Sequence, residues 1–271
     1  MPCMASRLVI VALLAMGATV HAQWLHYPTR NVPRAADGKP NLSATAPRMP
    51  DGKPDLSGIW QLEPSGNCPP VGCQVDYPAG DEFRNMGAKL SGGLPYQPWA
   101  AALVKERTEQ LGKDDPVGFC KPGGAVRILT YPPYRKFVQL PDLFIILSER
   151  DVTYRQIFTD GRPLPNDPDP TFNGYSIGRW EGDTLVVQTN GLREGTWLDR
   201  NGSPISDVAK MTERFRRVNY GRLEIDLTID DAKAYTKPWT VTLVQRLVLD
   251  TELMDYHCND NEKSAGRLVG K

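Results

Sequence analysis

Arg222-Leu-Glu-Ile-Asp-Leu-Thr-Ile229 is the stretch on which the fold turns, because Leu223, Ile225, Leu227 and Ile229 alternate with polar residues without a break. A period of two places successive side chains on opposite faces of a strand, so this segment carries one dry and one wet face. On either side lie Met211–Val218 and Trp239–Leu249, and Asn219-Tyr-Gly221 is a tight turn joining the first of these to the quoted strand. Further upstream, Lys136–Leu140, Leu143–Ser148, Thr153–Thr159, Tyr175–Trp180 and Thr184–Thr189 repeat the strand pattern between turn residues, with Glu181-Gly-Asp183 as another hairpin connection. Many antiparallel strands with few helices predict a closed barrel or a sandwich, and closure removes exposed edges.

The barrel opens at Leu56-Ser-Gly-Ile-Trp60, a Gly followed by a Trp at the head of a first strand. Residues 62–96, rich in Gly and Pro, read as a long excursion. The segment from Pro98 to Leu111 reads as the one helix, with Pro98 in its first turn and Gly112 just past its end. From Val126 onward the pattern is that of strands.

Before the barrel, residues 1–22 read as a cleavable signal peptide. Arg7 supplies the positive n-region, Leu8–Val20 the apolar h-region, and Val20-His-Ala22 the small-residue cleavage site, leaving Gln23 as the mature N-terminus. The run is shorter than the roughly 18 apolar residues a membrane span needs. No later segment is apolar enough either, so the expected location is periplasmic or secreted, with no membrane span. Residues 23–55 read as an extended, Pro-rich leader in which Asp37-Gly-Lys-Pro-Asn-Leu-Ser43 is echoed by Asp51-Gly-Lys-Pro-Asp-Leu-Ser57. Residues 56–271 are then a single barrel domain.

Composition narrows the partners. Lys+Arg and Asp+Glu both number 32, so there is no electrostatic footprint for nucleic acid or an anionic membrane surface. Loss of the signal segment discards Cys3 and leaves Cys68, Cys73, Cys120 and Cys258, an even set that suits disulfides in an oxidising compartment. Three pairings are open. Cys68 with Cys73 is the easiest local bridge and leaves Cys120 with Cys258, a closure worth roughly 4–5 kcal/mol. Neither C-x-x-C spacing nor paired His points to a metal, and no dinucleotide, phosphate-loop or Gly-x-Ser-x-Gly motif points to a cofactor or an activated serine. No metal and no cofactor are expected.

Four strings carry a resemblance: Asp51-Gly-Lys-Pro-Asp-Leu-Ser-Gly-Ile-Trp60, Tyr154-Arg-Gln-Ile-Phe-Thr-Asp-Gly-Arg-Pro163, Gly178-Arg-Trp-Glu-Gly-Asp-Thr-Leu-Val-Val187 and Asp230-Asp-Ala-Lys-Ala-Tyr-Thr-Lys-Pro-Trp239. Together they resemble a family of exported, largely uncharacterised bacterial β-rich proteins with a lipocalin-like flavour. The resemblance implies a mainly β, lipocalin-like antiparallel barrel of about 8–10 strands, and no established reaction. Leu164 and Ile205 stand where that family commonly carries His, which puts any His chemistry of the family in doubt here. The mature chain holds only His26 and His257.

Chemistry therefore falls to carboxylates, Tyr and Arg. Tyr131-Pro-Pro-Tyr-Arg135 offers two phenols and a guanidinium around a rigid Pro-Pro, able to stack on and hydrogen-bond an aromatic or carboxylate-bearing ligand. Candidate binding residues are Tyr131, Tyr134, Arg155, Arg162 and Arg214, and candidate acid–base residues are Glu213 and Asp160. Asp160 also fits the turn of Asp160-Gly-Arg162, and Asp199 fits the turn of Leu198-Asp-Arg-Asn-Gly202. Arg155 faces opposite to Tyr154 and Gln156, and Glu213 opposite to Arg214, so each strand sends one polar set inward. Two functions follow: an exported barrel binding a small apolar or aromatic molecule in an interior cavity, or a cofactor-free lyase, isomerase or hydrolase working on an aromatic or terpenoid-like compound.

Overall fold

The computed structural model describes residues 27–64 and 80–257. The signal segment, Gln23, His26, Cys68, Cys73 and Cys258 lie outside the described residues, so the expectations about cleavage and cysteine pairing fall there too. Within them, the alternation that opened the sequence reading is realised. On the strand Arg222–Asp230 the four aliphatic residues are wholly buried, and neighbouring strands keep the same parity: Met211, Glu213, Phe215 and Arg217 on one side, Trp239, Val241, Leu243 and Gln245 on the other.

Nine strands close into one barrel in chain order: β1 (Gly58–Leu62), β2 (Arg135–Gln139), β3 (Leu143–Ser148), β4 (Tyr154–Phe158), β5 (Tyr175–Glu181), β6 (Thr184–Asn190), β7 (Lys210–Asn219), β8 (Arg222–Asp230) and β9 (Trp239–Val248). Neighbours are antiparallel all round except β4 and β5, which are parallel. The expected purely antiparallel barrel is corrected at this seam for a geometric reason. Directions cannot alternate around a ring with an odd number of members, so nine strands need at least one parallel join. The seam is short, pairing only Ile157 with Ser176 and Phe158 with Ile177, and residues 159–174 carry the chain back to begin β5.

Among the described residues there are three α-helices rather than one: α1 (Asp81–Arg84), α2 (Pro98–Glu109) and α3 (Gly124–Thr130), with a 3-10 turn at Pro116–Phe119. The expected helix is α2. The segment after Val126, expected to begin the strands, is helical because its surroundings override its β-branched residues: every residue of α3 is buried. Gly124 opens it at φ 83, where a Cβ would meet Thr196 and Phe172, and Pro132-Pro133 stops it. Its last carbonyls are taken up by Arg135. That guanidinium donates to the Leu129 carbonyl, to the Tyr131 and Pro133 carbonyls at 2.5 and 3.0 Å, and to Gln245 Oε1 at 2.8 Å.

Side chains fill the barrel. Phe137, Phe144 and Phe215 meet edge-on with centroids 5.3–6.0 Å apart, surrounded by Ile146, Ile157 and Val187, all with 0–1% exposure. The helices, the 3-10 turn and the loop of residues 191–209 gather at the end where β1 finishes and β2 begins. The leader covers the other end, where Trp60 Nε1 donates to the Leu56 carbonyl at 3.0 Å and both residues are wholly buried. No helix among the described residues is long and apolar enough to cross a membrane.

Candidate functional site

The residues expected to carry chemistry are placed in four different settings. Arg155 and Glu213 do point inward and meet. Arg155 Nη1 and Nη2 donate to the two Glu213 carboxylate oxygens at 2.8 and 2.5 Å, with side-chain exposures of 1% and 0%. Arg155 also donates to Ser176 Oγ (3.2 and 3.1 Å) and Thr189 Oγ1 (2.9 Å), so one polar residue from each of β4, β5, β6 and β7 joins a sealed internal belt. Every acceptor in it is engaged, and it bridges the short parallel seam. Asp160 and Arg162 sit on the outer surface, paired at 2.6 Å, with Arg162 also donating to the Tyr175 hydroxyl at 3.2 Å and lying 3.9 Å over the Phe158 ring. The hydrogen bond from Arg162 holds the Asp160 carboxyl below the usual range, which makes it a poor base. Arg214 is likewise on the surface, bonded to Glu181. Tyr134 is buried at the head of β2, where its amide donates to Glu149 Oε2 at 2.9 Å. Asp199 is buried in the loop, accepting from the Met86 amide, the Ser203 amide and the Ser203 hydroxyl.

Tyr131 alone of the seven candidate catalytic and binding residues lines an open concavity. This is a cleft of about 630 Å³ at the helical end of the barrel. Four elements and the C-terminal tail build it: Phe83 from α1, Asp115 and Val117 at the 3-10 turn, Arg127 from α3 with Tyr131-Pro132-Pro133 behind it, Glu149 and Arg150 from the β3–β4 turn, and Met254–Tyr256. The tail is held by its backbone, since Met254 N donates to Glu149 Oε1 (3.0 Å), Tyr256 N to the Glu149 carbonyl (3.2 Å), and Asp151 N to the Tyr256 carbonyl (2.9 Å). Arg135 donates to the carbonyls of the alternate residues Leu129, Tyr131 and Pro133 and so pins the backbone on both sides of Tyr131.

The electrostatics of the cleft centre on Tyr131, which is 4% exposed. Arg127 lies 5.1 Å and Arg150 5.6 Å from its ring centroid, and Phe83 packs at 5.9 Å. Burial pushes the phenol up to about 12, against the pull of Arg127 and Arg150, so it is a proton-bearing donor at neutral pH. Among the described residues, neither its hydroxyl nor the adjacent Arg127 Nε has a hydrogen-bond partner. Two orphaned buried polar atoms in one wall are unusual in a folded protein. Two of the cleft's three carboxylates are engaged by this chain's own donors: Asp115 Oδ1 takes Arg127 Nη1 at 2.7 Å and the Val117 amide at 3.1 Å, and Glu149 takes the Tyr134 and Met254 amides, while Asp255 is exposed at the rim, 3.9 Å from His257. Close approach to the ring requires Gly123, where an added Cβ would lie 2.2 Å from the Tyr131 hydroxyl.

Sequence reading found Tyr131 through its Tyr-Pro-Pro-Tyr-Arg setting and missed Phe83, Asp115, Arg127, Arg150 and Tyr256. These come from five separate places along the chain, and no spacing links them. Leu164 lies in the β4–β5 connection, and Ile205 is buried among the apolar residues of the loop before β7. Among the described residues, no group of three or more His, Cys, Asp or Glu is arranged to hold a metal ion. Comparison of the chain with protein-family models and with curated proteins found no match to either.

Proposed function

We propose that this chain is a binding protein for a small aromatic molecule, held in the cleft at the barrel mouth rather than in the barrel interior. The observation that carries the reading is the pair of orphaned buried donors, Tyr131 Oη and Arg127 Nε, in the wall of a cleft that also presents the rings of Phe83 and Tyr256 and the guanidinium groups of Arg150 and Arg200. An oxygen-bearing ligand that works into this wall offers the Tyr131 hydroxyl an acceptor, and a flat ring stacks between Phe83, Tyr131 and the Arg150–Tyr256 pair, which itself lies at 4.9 Å. Binding is favoured over turnover because the carboxylates beside Tyr131 and Arg127, those of Asp115 and Glu149, already accept hydrogen bonds from this chain's own donors, and Asp255 lies exposed at the rim. Export belongs to the same proposal: the Arg7, Leu8–Val20 and Val20-His-Ala22 pattern supports a chain maturing at Gln23 and acting outside the cytoplasm, and so does the resemblance to exported bacterial proteins.

The test is a fluorescence titration with 1-anilinonaphthalene-8-sulfonate, followed by displacement with a panel of benzoates, naphthoates and neutral phenols. Saturable binding, weakened about tenfold or more by Tyr131→Phe and by Arg127→Met, is expected, since a hydrogen bond to a charged or buried group is worth roughly 1.5–3 kcal/mol. Absence of saturable binding, or binding indifferent to both substitutions, refutes the site. Sequencing the N-terminus of the secreted chain tests the Gln23 start.

A further inference from the structure

The leader's internal echo is longer in three dimensions than in sequence. Residues 33–43 and 47–57 fold into matching brackets, although Lys39 also pairs with Asp37 at 3.3 Å where Lys53 turns to the Trp180 ring instead. Arg34 and Arg48 each send Nη1 to the carbonyl of the turn glycine, Gly38 or Gly52, at 2.7 Å. Lys39 N and Lys53 N donate to Asp37 and Asp51 Oδ1 at 3.0 Å. Asn41 N and Asp55 N return to the carbonyls of Pro33 and Pro47 at 2.7 and 2.9 Å. The two glycines sit at φ 80 and 83, and Arg34 bridges to Pro40 as Arg48 does to Pro54.

What the second bracket does is visible. Its Arg48 grips Asp183 with both terminal nitrogens, at 3.0 and 2.7 Å, while Lys53 stands 5.9 Å from the Trp180 ring. It thus clasps the Trp180-Glu-Gly-Asp183 hairpin turn by a charged fork and a cation on an aromatic ring. The first bracket is seated on the next turn of the same rim by its tail alone, through Gly221 N to the Leu42 carbonyl (2.7 Å) and Tyr220 N to the Ala44 carbonyl (2.8 Å). That turn, Asn219-Tyr220-Gly221, offers no carboxylate. Arg34 is exposed, is already shaped by its bond to Gly38, and has no carboxylate within salt-bridge distance among the described residues.

We propose that the first bracket is a docking element for a partner protein, and that what it takes is an exposed hairpin turn of the Trp-Glu-Gly-Asp kind: an Asp for the Arg34 fork and an aromatic ring for Lys39, which gives up its exposed pairing with Asp37. A duplicated clasp with one copy filled from within the chain leaves the other to be filled from outside. The partner is not a second copy of this chain, because Asp183 is already held by its own Arg48.

The test uses the full chain, labelled with 15N, and a head-to-tail cyclised hairpin peptide carrying the sequence of residues 178–185. Saturable shifts of the Arg34 Nε, Gly38 and Lys39 signals are expected, half complete at about 1 mM peptide or below. They vanish when the peptide's Asp is replaced by Asn and in the Arg34→Gln chain, while the equivalent signals at Arg48, Gly52 and Lys53 stay fixed. No shift at residues 34–39, shifts that survive either change, or shifts confined to the second bracket overturn the proposal.

Discussion

Replacing Arg155 by Met strips Glu213 of both guanidinium bonds while leaving its carboxylate in a site of 0% exposure among Phe, Leu and Val side chains. Met fills the volume of the arginine stem, so the cost is chiefly that of an uncompensated buried charge, about 3–5 kcal/mol. Glu213→Leu strands the guanidinium instead and costs a similar amount. The double variant removes both charges, and Ser176 and Thr189 still bond each other at 2.9 Å, so no hydroxyl is orphaned. Its loss is therefore smaller than that of either single variant, within about 1 kcal/mol of the parent or on the stable side of it. Urea unfolding followed by Trp fluorescence, with linear extrapolation to water, reads these differences directly. Amide exchange adds a positional readout, because the belt spans the two-pair join of β4 and β5: the single variants lose protection there before elsewhere. The reasoning is refuted if the double variant loses as much as the two singles combined, or if either single costs less than about 1 kcal/mol. A double variant that folds and still binds in the cleft assigns the pair to the framework.

Two further outcomes follow from buried polar groups. Because burial raises the Tyr131 phenol to about 12 from an ordinary value near 10, the unfolded chain loses that proton first, so stability is complete below pH 10 and falls by about 1.4 kcal/mol per pH unit up to pH 12; Tyr96, also raised to about 12, acts in the same direction. Absorbance at 295 nm against pH, with urea midpoints measured alongside, checks this, and ionisation of Tyr131 near pH 10 contradicts it. Asp199→Ala leaves the Met86 and Ser203 amides without their acceptor, a loss of roughly 2–5 kcal/mol, whereas Asp199→Asn keeps one oxygen and loses less; thermal melts of the two variants give the comparison.

How far the sequence reveals this molecule depends on whether the relevant physics is local. The period of two in Arg222–Ile229, the Gly-bearing turns at Glu181-Gly-Asp183 and Asn219-Tyr-Gly221, and the Pro98 start of α2 are local properties, and each element appears within a residue or two of its expected limits. The helix α3 is the opposite case. Val126, Ile128 and Thr130 favour strands by themselves, and only complete burial together with the reach of Arg135 from β2 makes them helical. The same division governs the site. Strand parity says only that one polar set of each strand faces inward; that these are Arg155 and Glu213, and that they meet as a sealed pair rather than in a cavity, is decided by packing. The cleft belongs to loops and helix ends, where neighbours in space are distant in sequence, and only Tyr131 stood out locally.

The pairing of β1 with β9 sets a schedule for making this protein. Ile59 faces Val248 across the join, so the edge of the first strand waits, unpaired, until nearly the whole chain is available. A ring cannot be closed from a fragment. Any chain that stops short of β9 presents two raw sheet edges, at β1 and β8, with the apolar faces of both turned to solvent. Such a barrel closes late in synthesis, and its long-range β1–β9 join gives it a high contact order. Loss of a few C-terminal residues within Trp239–Val248 is consequently a far graver lesion than loss of the same number from the leader.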